Sequence, residues 1–469
     1  MIDMKNFKKI HFIGIGGVGM SPLAKMLIES GFIISGSDCS DSTNVQMLRN
    51  MGAKIFIGQD GKNLLNTDGT SSCEAIVYST AIPKTNPEMV KAKELKIPIL
   101  HRADINAFFV NSKKKGIAVA GSHGKTTTTS MIGFILQEAG IDPSIIIGGI
   151  STDLETSAIL GKSDYLVSEA DESDGTFLKL KPAIEVITNV EDDHLDYYGT
   201  IEKIQEAFKN FLVNLDKEKG LAVLCYDNEP LFNMAKEIDR RIISYGINNE
   251  ADFMAKNINA GIEGISFDVY NKGKNLGRIK LKLHGKHNVL NSLAAIIVAL
   301  DAGIEFNKIA EALSRFHGAK RRFQTKANIN GIWIVDDYGH HPSEIEATLK
   351  AAKETNRKRV VCIFQPHRYS RTKLLLNKFG KSFHDADVLV LTEVYSAGEK
   401  QIEGIDGECI VKEVKSNDAN KEIYYVRERN KIAEFLKDKL KEDDLVITMG
   451  AGDNYKTGEE LIELLNKSI

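Results

Sequence analysis

The sequence predicts an α/β protein in which parallel sheets are covered by helices, and three observations lead to this class. Short apolar runs alternate with longer helix-like segments along almost the whole chain, as in repeated strand–helix–strand units. Two glycine-rich stretches, at 14–19 and 121–124, each stand between such a run and a helix-like segment. Clusters of polar residues directly follow several apolar runs, and open α/β sheets bind ligands at the carboxyl ends of their strands.

Length and composition indicate a multidomain globular enzyme. A chain of 469 residues is too long for one compact core, so about two to four domains are expected. Hydrophobic residues make up 42% and charged residues 27% of the chain, and the formal net charge is −3. Because nucleic-acid-binding proteins usually carry a basic surface, this charge argues against such a partner.

Three further absences in the sequence predict a cytoplasmic, reduced protein that does not enter a membrane. The longest apolar runs fall well short of the roughly 18 residues that a spanning helix needs. The five cysteines form no C-x-x-C pair, which predicts neither a zinc site nor a disulfide framework. The first residues run into a strand and lack the apolar stretch and cleavage site of a signal peptide.

The first block opens with a glycine pattern typical of diphosphate binding. In KIHFIGIGGVGMSPLAKML, Gly14, Gly16 and Gly19 form G-x-G-x-x-G between a strand and a helix, and Asp38 follows about 20 residues later, where a dinucleotide fold places a ribose-binding acid. Glycines let the backbone approach a diphosphate at the helix N-terminus. A nicotinamide dehydrogenase, a UDP-sugar site and a tight turn without a ligand all fit this stretch.

The second block opens with a variant phosphate loop, GIAVAGSHGKTTTTS. The standard pattern G-x-x-x-x-G-K-[ST] requires a glycine at position 119, where this chain has Val119. The loop still lies between a short apolar strand and a predicted amphipathic helix. Lys125 can reach the β and γ phosphates, and Thr126 can offer its hydroxyl to Mg²⁺. This context favours a triphosphate site over a chance Gly-Lys-Thr sequence.

Two polar clusters that follow strands contain candidates for the carboxylate ligand that Mg²⁺ needs. Glu169 directly follows the apolar run Tyr165-Leu166-Val167 and begins the acidic stretch EADESD. It is therefore the best-placed ligand, while most of the remaining acidic residues are expected to form a solvated loop. His194, in NVEDDHLD, also follows a strand. On the sequence alone, a structural histidine is the simpler interpretation.

The third block and the helix before it supply further candidates. Asn288 and Asn291 stand three residues apart at the start of an apolar helix, so they lie on one face as ligand-binding amides or as N-terminal caps. Arg368 and Arg371 follow an apolar strand in QPHRYSRT. The forked guanidinium of arginine suits carboxylate recognition, and a basic surface turn is the alternative.

These motifs together resemble one known family. Read in order along nearly the whole chain, they are GIGGVGMSPLA, GSHGKTTTTS, SEADESD, NVEDDHLD, GKHNVLN, DDYGHHPSE and QPHRYSRT. They resemble the motifs of the Mur ligases of peptidoglycan synthesis. The loop of that family is the shorter G-x-x-G-K-T kind, so Val119 is expected to lie in the last part of a strand. Ser122 stands where the family would have threonine.

The resemblance implies a three-domain Mur ligase architecture. We expect an N-terminal Rossmann-like domain for the UDP-sugar at 1–110 and a central P-loop ATPase α/β domain at 111–321. A C-terminal Rossmann-like α/β domain for the amino acid is expected at 322–469. The implied reaction uses ATP and Mg²⁺ to join L-alanine to the carboxylate of UDP-N-acetylmuramate through an acyl phosphate.

The resemblance also implies roles for individual residues. The expected catalytic residues are Lys125, Glu169, His194 and His340. The expected ATP-binding residues are Gly121, Ser122, His123, Gly124, Lys125, Thr126, Thr127, Asn288, Asn291, Arg321 and Arg322. The expected substrate-binding residues are Gly14, Gly16, Gly17, Gly19, Asp38, Tyr338, His340, His367, Arg368 and Arg371. The expected Mg²⁺ ligands are Thr126, Glu169 and His194, the last near a second ion.

Three other functions compete with this one. A recycling ligase would attach a whole tripeptide to the same UDP-sugar, although its glycine stretch differs from GIGGVGMSPLA. A nicotinamide-dependent dehydrogenase with an accessory ATP loop is a rival from another class. A nucleotide-regulated binding protein without catalysis is the third.

Overall fold

The computed structural model describes residues 4–149 and 151–467. The chain divides into two compact units. The first comprises Met1–Ala255, Val269–Gly277 and Leu290–Leu313, and the second comprises Lys256–Asp268, Arg278–Val289 and Ser314–Ile469. Among the described helices, none combines the length and hydropathy that crossing a membrane requires.

The first unit begins with a parallel five-stranded sheet covered by helices. Its strands are β1 (Lys9–Ile13), β2 (Ile33–Asp38), β3 (Lys54–Ile57), β4 (Ala75–Tyr78) and β5 (Ile99–His101). Its helices are α1 (Ser21–Glu29), α2 (Thr43–Asn50), α3 (Pro87–Glu94) and α4 (Arg102–Ser112). The strand order β3-β2-β1-β4-β5 matches the 3-2-1-4-5 order of Rossmann folds. The predicted Rossmann-like fold is confirmed.

The same unit continues with a second sheet, whose centre is the strand before the phosphate loop. The strands of this sheet that lie wholly in the first unit are β6 (Lys115–Ala120), β7 (Ser144–Ile146), β8 (Ala158–Ile159), β9 (Tyr165–Glu169), β10 (Ile184–Ile187), β11 (Leu221–Cys225) and β12 (Arg241–Gly246). Its helices are α5 (Lys125–Glu138), α6 (Leu195–Tyr198), α7 (Ile201–Val213) and α8 (Glu229–Glu237). These seven strands run in the order β12-β11-β10-β6-β9-β7-β8. Only the β7–β8 pair among them is antiparallel.

The next segment of the chain is shared between the two units. It contains β13 (Phe253–Gly261), β14 (Gly264–Asn271), β15 (Lys274–Leu281), α9 (Lys286–Asp301) and α10 (Phe306–Arg315). The boundary between the units passes through each of these five elements. The helix predicted near HNVLNSLAAIIVAL is confirmed as α9.

The second unit contains a six-stranded, mostly parallel sheet. Its strands are β16 (Gln324–Ile329), β17 (Ile332–Asp337), β18 (Arg359–Phe364), β19 (Val388–Leu391), β20 (Glu422–Tyr425) and β21 (Asp444–Met449). Its helices are α11 (Pro342–Lys353), α12 (Tyr369–Leu374), α13 (Leu376–Phe379), α14 (Gly407–Asn417), α15 (Ile432–Leu436) and α16 (Tyr455–Lys467). The order is β16-β17-β21-β18-β19-β20, and β16 runs antiparallel to β17.

Alternating side chains of this sheet build two hydrophobic cores. Val335 and Phe364 belong to one core cluster, while Ile334 and Ile363 belong to another. Successive residues of a strand point to opposite faces, so each face is covered separately. Burial on both faces explains why these strands read as continuous apolar runs in the sequence.

Candidate functional site

The strand order of the central sheet gathers three predicted features at one edge. Strand β6 lies between β9 and β10, with Val119 opposite both Val186 and Glu169. Because the three strands are parallel, their carboxyl ends meet. The phosphate loop, Glu169 and the Thr188–Asn189 pair after β10 therefore share this edge. Val119, which stands where the standard pattern has a glycine, is a fully buried residue of β6. This position therefore belongs to the strand and not to the loop.

The phosphate loop is held by the residue pair that follows β10. The backbone N–H of Ser122 donates to the carbonyl of Asn189 at 3.0 Å. The N–H of His123 donates to Oδ1 of Asn189 at 2.9 Å, and Nδ2 of Asn189 donates to the carbonyl of His123 at 3.0 Å. These bonds pin the loop backbone on both sides of its bend.

Both glycines of the loop are required by geometry. Gly121 has φ +131°, and a Cβ atom there would lie 2.1 Å from Oγ1 of Thr188. Gly124 has φ +87° and serves as the N-cap of α5. A glycine has no side chain with which to cap α5, so the first-turn N–H groups of α5 have no side-chain cap. Such a helix N-terminus suits a phosphate group.

Lys125 begins α5 and is folded against the loop. Its Nζ atom donates to Oε1 of Glu172 at 2.7 Å, to the carbonyl of Gly121 at 2.5 Å and to the carbonyl of Ser122 at 3.1 Å. Burial disfavours the charged ammonium, but the Glu172 carboxylate and the charges of Asp171 and Glu169 outweigh burial and raise the pKa of Lys125. The ammonium is therefore charged at neutral pH.

The acidic stretch after β9 is not the solvated loop that the sequence suggested. Glu172 is 1% exposed and Asp174 is buried, so this prediction was wrong for both. Asp174 accepts a hydrogen bond from the Thr80 hydroxyl at 3.1 Å. Asp171 forms an ion pair with Arg102. Burial would raise the pKa of Asp171, but Arg102 and Lys125 hold it well below its usual range.

Glu169 and Thr126 lie beside the same short backbone segment. Oε1 of Glu169 accepts the N–H of Gly148 at 2.7 Å. A Cβ atom on Gly149 would lie 3.4 Å from Cγ2 of Thr126. Carboxylate and hydroxyl oxygens are hard ligands of the kind Mg²⁺ prefers, so this donor set fits the ion. Thr127, the next residue of α5, is buried.

His194 stands immediately before α6 with a left-handed backbone, φ 56°. Its Nε2 atom lies 3.6 Å from Oε1 of Glu172 and 3.5 Å from Oδ2 of Asp193. Burial lowers the pKa of His194, but these two carboxylates outweigh burial and raise it. The histidine thus belongs to the charged group around Lys125 rather than to an apolar core.

The first glycine loop is held by the acid that was expected to bind ribose. The N–H of Gly16 donates to Oδ2 of Asp38 at 2.9 Å. The N–H groups of Gly14 and Ile15 donate to the carbonyl of Ser37. Gly17 also approaches the backbone closely, since a Cβ atom there would lie 3.3 Å from the carbonyl oxygen of Gly14. Asp38 therefore shapes the loop itself.

Arg102 connects the first glycine loop to the acidic stretch after β9 and was missed by the sequence analysis. A Cβ atom on Gly19 would lie 3.0 Å from Nη1 of Arg102. The other terminal nitrogen of Arg102 pairs with Asp171, next to the partner of Lys125. The residue stands at the start of α4, directly after β5. Its position after a strand is the only signal in the sequence that pointed to it.

The two asparagines of α9 have different surroundings. Oδ1 of Asn291 lies next to Gly124, 2.6 Å from the position of a Cβ atom there. Asn288 donates from Nδ2 to the carbonyl of His284 at 2.8 Å and is buried. Neither contact tests the predicted role of these residues in adenine binding, which stays a prediction.

The second unit holds the other predicted residues, and Arg321 is bound within it. Its Nε atom donates to Oδ2 of Asp336 at 2.9 Å, and its terminal nitrogens donate to the carbonyls of Gly450 at 2.6 Å and Gly452 at 3.2 Å. Arg322 donates to Oε1 of Glu344 at 3.2 Å. Arg321 therefore stabilises the turn after β21, and its predicted contact with phosphate would have to replace these bonds.

Tyr338, His340, His367 and Tyr395 form a row of rings at the carboxyl edge of this sheet. Neighbouring ring centroids lie 5.5, 5.7 and 5.7 Å apart, and the His367 and Tyr395 rings are stacked with an interplanar angle of 9°. The strand order places the ends of β17, β21, β18 and β19 side by side, which brings these distant residues together. Tyr395 was not predicted, although it follows β19 in the same way that His367 follows β18.

The predicted arginines flank this row of rings. Nη1 of Arg371 lies 3.3 Å from Nδ1 of His367. Arg368 is exposed, and its N–H donates to the carbonyl of Tyr395 at 2.9 Å. Burial and the nearby charges of His340, Arg371 and Arg368 lower the pKa of His367 to about 3. His367 is therefore neutral at physiological pH.

Three family models match the chain. They are described as "Mur ligase family, catalytic domain" over residues 9–126, "Mur ligase middle domain" over 119–299, and "Mur ligase, glutamate ligase domain" over 321–452.

Relatives and solved structures match over nearly the full length. A UDP-N-acetylmuramate–L-alanine ligase of Geotalea daltonii is 45% identical over 461 residues, which cover 98% of this chain and 99% of that protein. One of Geotalea uraniireducens is 46% identical over 458 residues, 98% of each chain. The crystal structure of UDP-N-acetylmuramate-alanine ligase MurC from Thermotoga maritima has a TM-score of 0.82 at 30% identity, covering 98% of this chain and 100% of that chain. A murein peptide ligase from Psychrobacter arcticus has a TM-score of 0.71 at 25% identity, with 98% and 99% covered.

Proposed function

The chain belongs to the Mur ligase family, and on that premise we infer that it joins L-alanine to the carboxylate of UDP-N-acetylmuramate at the expense of ATP. The observation that carries this function is the identity of 45% over 98% of the chain with ligases of that name. The shared length includes both the phosphate loop and the row of rings at the second sheet. We place the reaction in the cytoplasm, where ATP is abundant.

The chemistry explains why a phosphate loop is needed. A carboxylate at neutral pH is a poor electrophile and does not accept an amine. Transfer of the γ-phosphoryl group of ATP to the carboxylate forms an acyl phosphate and releases ADP. The amine of L-alanine then attacks the carbonyl carbon, and inorganic phosphate leaves as the amide bond forms. The protein contributes positioning and stabilisation of the developing charge.

We assign the phosphoryl-transfer step to the edge of the central sheet. Lys125 turns its ammonium toward the transferring phosphoryl group, and the first-turn N–H groups of α5 bind the phosphate oxygens. Thr126 and Glu169, with His194 nearby, would hold Mg²⁺, which would neutralise phosphate charge. The Gly14–Gly19 loop, at the start of α1, binds the diphosphate of the UDP-sugar.

We assign the amino acid to the row of rings in the second unit. Arg371 and Arg368 bind the carboxylate of L-alanine through charged hydrogen bonds. Neutral His367 accepts a hydrogen bond from Arg371 and so orients the guanidinium without competing for the carboxylate. His340, held through Nδ1 by the Tyr338 carbonyl at 3.1 Å, accepts the proton that the amine loses.

The test is the release of phosphate from ATP in the presence of Mg²⁺ and UDP-N-acetylmuramate. We expect release that depends on L-alanine and a product that contains one alanine. In Lys125→Ala, product formation should be lost while calorimetry still detects binding of the UDP-sugar. Reduction of a nicotinamide, or turnover with a tripeptide but not with L-alanine, would overturn the proposal in favour of a dehydrogenase or a recycling ligase.

A further inference from the structure

Glu172 is a buried carboxylate at the phosphate loop that has no part in the reaction as assigned above. It is 1% exposed. Its Oε1 atom lies 2.7 Å from Nζ of Lys125 and 3.6 Å from Nε2 of His194. Within residues 4–149 and 151–467, its Oε2 atom is buried and has no hydrogen-bond partner. A buried carboxylate oxygen without a partner is costly and therefore calls for a ligand.

The position of this carboxylate is set by its own backbone. The carbonyl of Glu172 accepts the Tyr198 hydroxyl at 2.6 Å and the N–H of Gly175 at 3.0 Å. Tyr198 belongs to the short helix α6 that follows His194 and is itself buried. Since the backbone is tied to the segment that carries His194, the carboxylate and the imidazole are held as a pair.

Lys125 has to break its bond to Glu172 in order to contact the phosphates of the nucleotide. An ammonium group has three donors, and all three are used by Glu172 and the carbonyls of Gly121 and Ser122. A contact with phosphate oxygens therefore costs at least one of these bonds. The bond to Glu172 is the one whose loss leaves a buried negative charge, which then needs another cation.

We propose that Glu172 exchanges partners during the catalytic cycle. In the absence of nucleotide, Glu172 holds Lys125 against the loop. When Lys125 moves to the phosphates of the nucleotide, Glu172 binds a divalent cation together with His194. This inference rests on the proposed function, and it adds a ligand to the metal site. Mg²⁺ is bound in proteins through one or two carboxylates together with phosphate oxygens and water. Two ligands at adjacent corners of an octahedral Mg²⁺ lie about 3 Å apart, from metal–oxygen distances of about 2.1 Å. The distance between Oε1 of Glu172 and Nε2 of His194 is 3.6 Å, about 0.6 Å longer, which a small movement of either side chain can supply.

The inference is tested by Mn²⁺ binding, followed by electron paramagnetic resonance, to the full-length protein with a non-hydrolysable ATP analogue. Glu172→Gln keeps the size of the side chain and removes its charge. We expect it to weaken Mn²⁺ binding on the order of 10- to 100-fold. Glu172→Asp, which keeps the charge on a shorter side chain, should weaken binding less. Asp171→Asn removes a charge one residue away, from the partner of Arg102, and serves as the control for the loss of a nearby charge alone; it should weaken Mn²⁺ binding much less than Glu172→Gln.

A second measurement separates a metal ligand from a residue that only positions Lys125. Without metal, and with a chelator present, Glu172→Gln should bind the ATP analogue as well as the wild-type protein or better, because Lys125 no longer has to leave a carboxylate. Unchanged Mn²⁺ affinity in Glu172→Gln, or an equal loss in Asp171→Asn, would overturn the inference. Thermal unfolding of each variant shows whether it is folded. L-alanine-dependent phosphate release by the wild-type protein tests the proposed function separately.

Discussion

Oδ1 of Asn291 lies 2.6 Å from the place that a Cβ atom would take on Gly124. The first residue belongs to α9 and the second to the phosphate loop, 167 positions earlier in the sequence. Gly124 thus has two constraints at once, a positive φ of +87° and a side chain packed against its Cα. Only glycine meets both.

Gly124→Ala should therefore abolish detectable binding of the ATP analogue by calorimetry. A left-handed alanine costs roughly 1–2 kcal/mol, and the new methyl group would also displace Asn291. Gly140→Ala is the matched control, because Gly140 follows the other end of α5 with φ +77° and nothing within 4 Å of the added Cβ. Because an alanine at Gly140 has a similar backbone strain, this variant should also have a lower thermal stability, but its nucleotide affinity should be unchanged. Equal losses of nucleotide affinity in the two variants would contradict the role of the close packing.

Arg371→Ala should weaken the use of L-alanine without preventing activation of the sugar. A lost charged hydrogen bond costs about 1.5–3 kcal/mol, which corresponds to roughly a 10- to 100-fold rise in KM for alanine. Hydroxylamine trapping of the acyl phosphate should still succeed, because activation precedes alanine attack. Arg368→Ala is tested in the same way.

Lys373→Ala, which removes an exposed cation from the same helix α12, is the control for both arginines and should leave the KM unchanged. An alanine KM that stays at the wild-type value in both arginine variants would refute their assignment. Lost trapping with an unchanged KM would instead assign them to the phosphates.

Tyr395→Ala should raise the KM for L-alanine, whereas Tyr395→Phe should leave it nearly unchanged. The stack on His367 depends on the ring rather than on the hydroxyl group, and an aromatic pair contributes about 0.5–1.5 kcal/mol. The expected rise is thus roughly 2- to 12-fold. Steady-state kinetics with L-alanine, glycine and L-serine is the measurement. A large effect of the Phe variant would show that the hydroxyl group, not the stack, is what the site uses.

Glu185→Gln should stabilise the protein at neutral pH and flatten the dependence of its stability on pH. Glu185 lies in the buried strand β10, and both of its carboxylate oxygens are without hydrogen-bond partners among the described residues. Burial raises its pKa well above the ordinary value of 4.5. The folded protein therefore keeps a proton that the unfolded chain loses above about pH 4.5, so stability falls as pH rises from there toward the folded-state pKa.

Chemical denaturation at several values between about pH 5 and pH 8 measures this difference, with a slope of up to about 1.4 kcal/mol per pH unit from one group. Glu218→Gln, at an exposed carboxylate, is the control and should follow the wild-type curve. Parallel curves for the wild type and Glu185→Gln would show that Glu185 does not keep its proton in the folded protein.

The sequence alone determined the fold class and the outline of the site, because these depend on neighbours along the chain. Apolar runs bounded by turns became the strands of parallel sheets, and Val119 lies in the last part of β6, as the family resemblance implied. The places of Lys125 and Thr126 at the start of α5 could be predicted because a strand, a loop and a helix follow one another within a few residues. The place of Glu169 could be predicted because the end of a parallel strand lies at the edge where ligands bind.

The tertiary structure decided which charges are paired. The acidic stretch that holds Glu172 reads as a solvated loop, yet packing against α6 buries it beside Lys125. Arg102 meets an acid 69 positions away, and Arg321 turns onto the carbonyls of Gly450 and Gly452. Local patterns specify which face of an element is apolar, but the partner of a charged side chain depends on which strand ends the sheet order places side by side. That order is a property of the whole packed chain, since the free energy that selects it comes from burying many apolar side chains together.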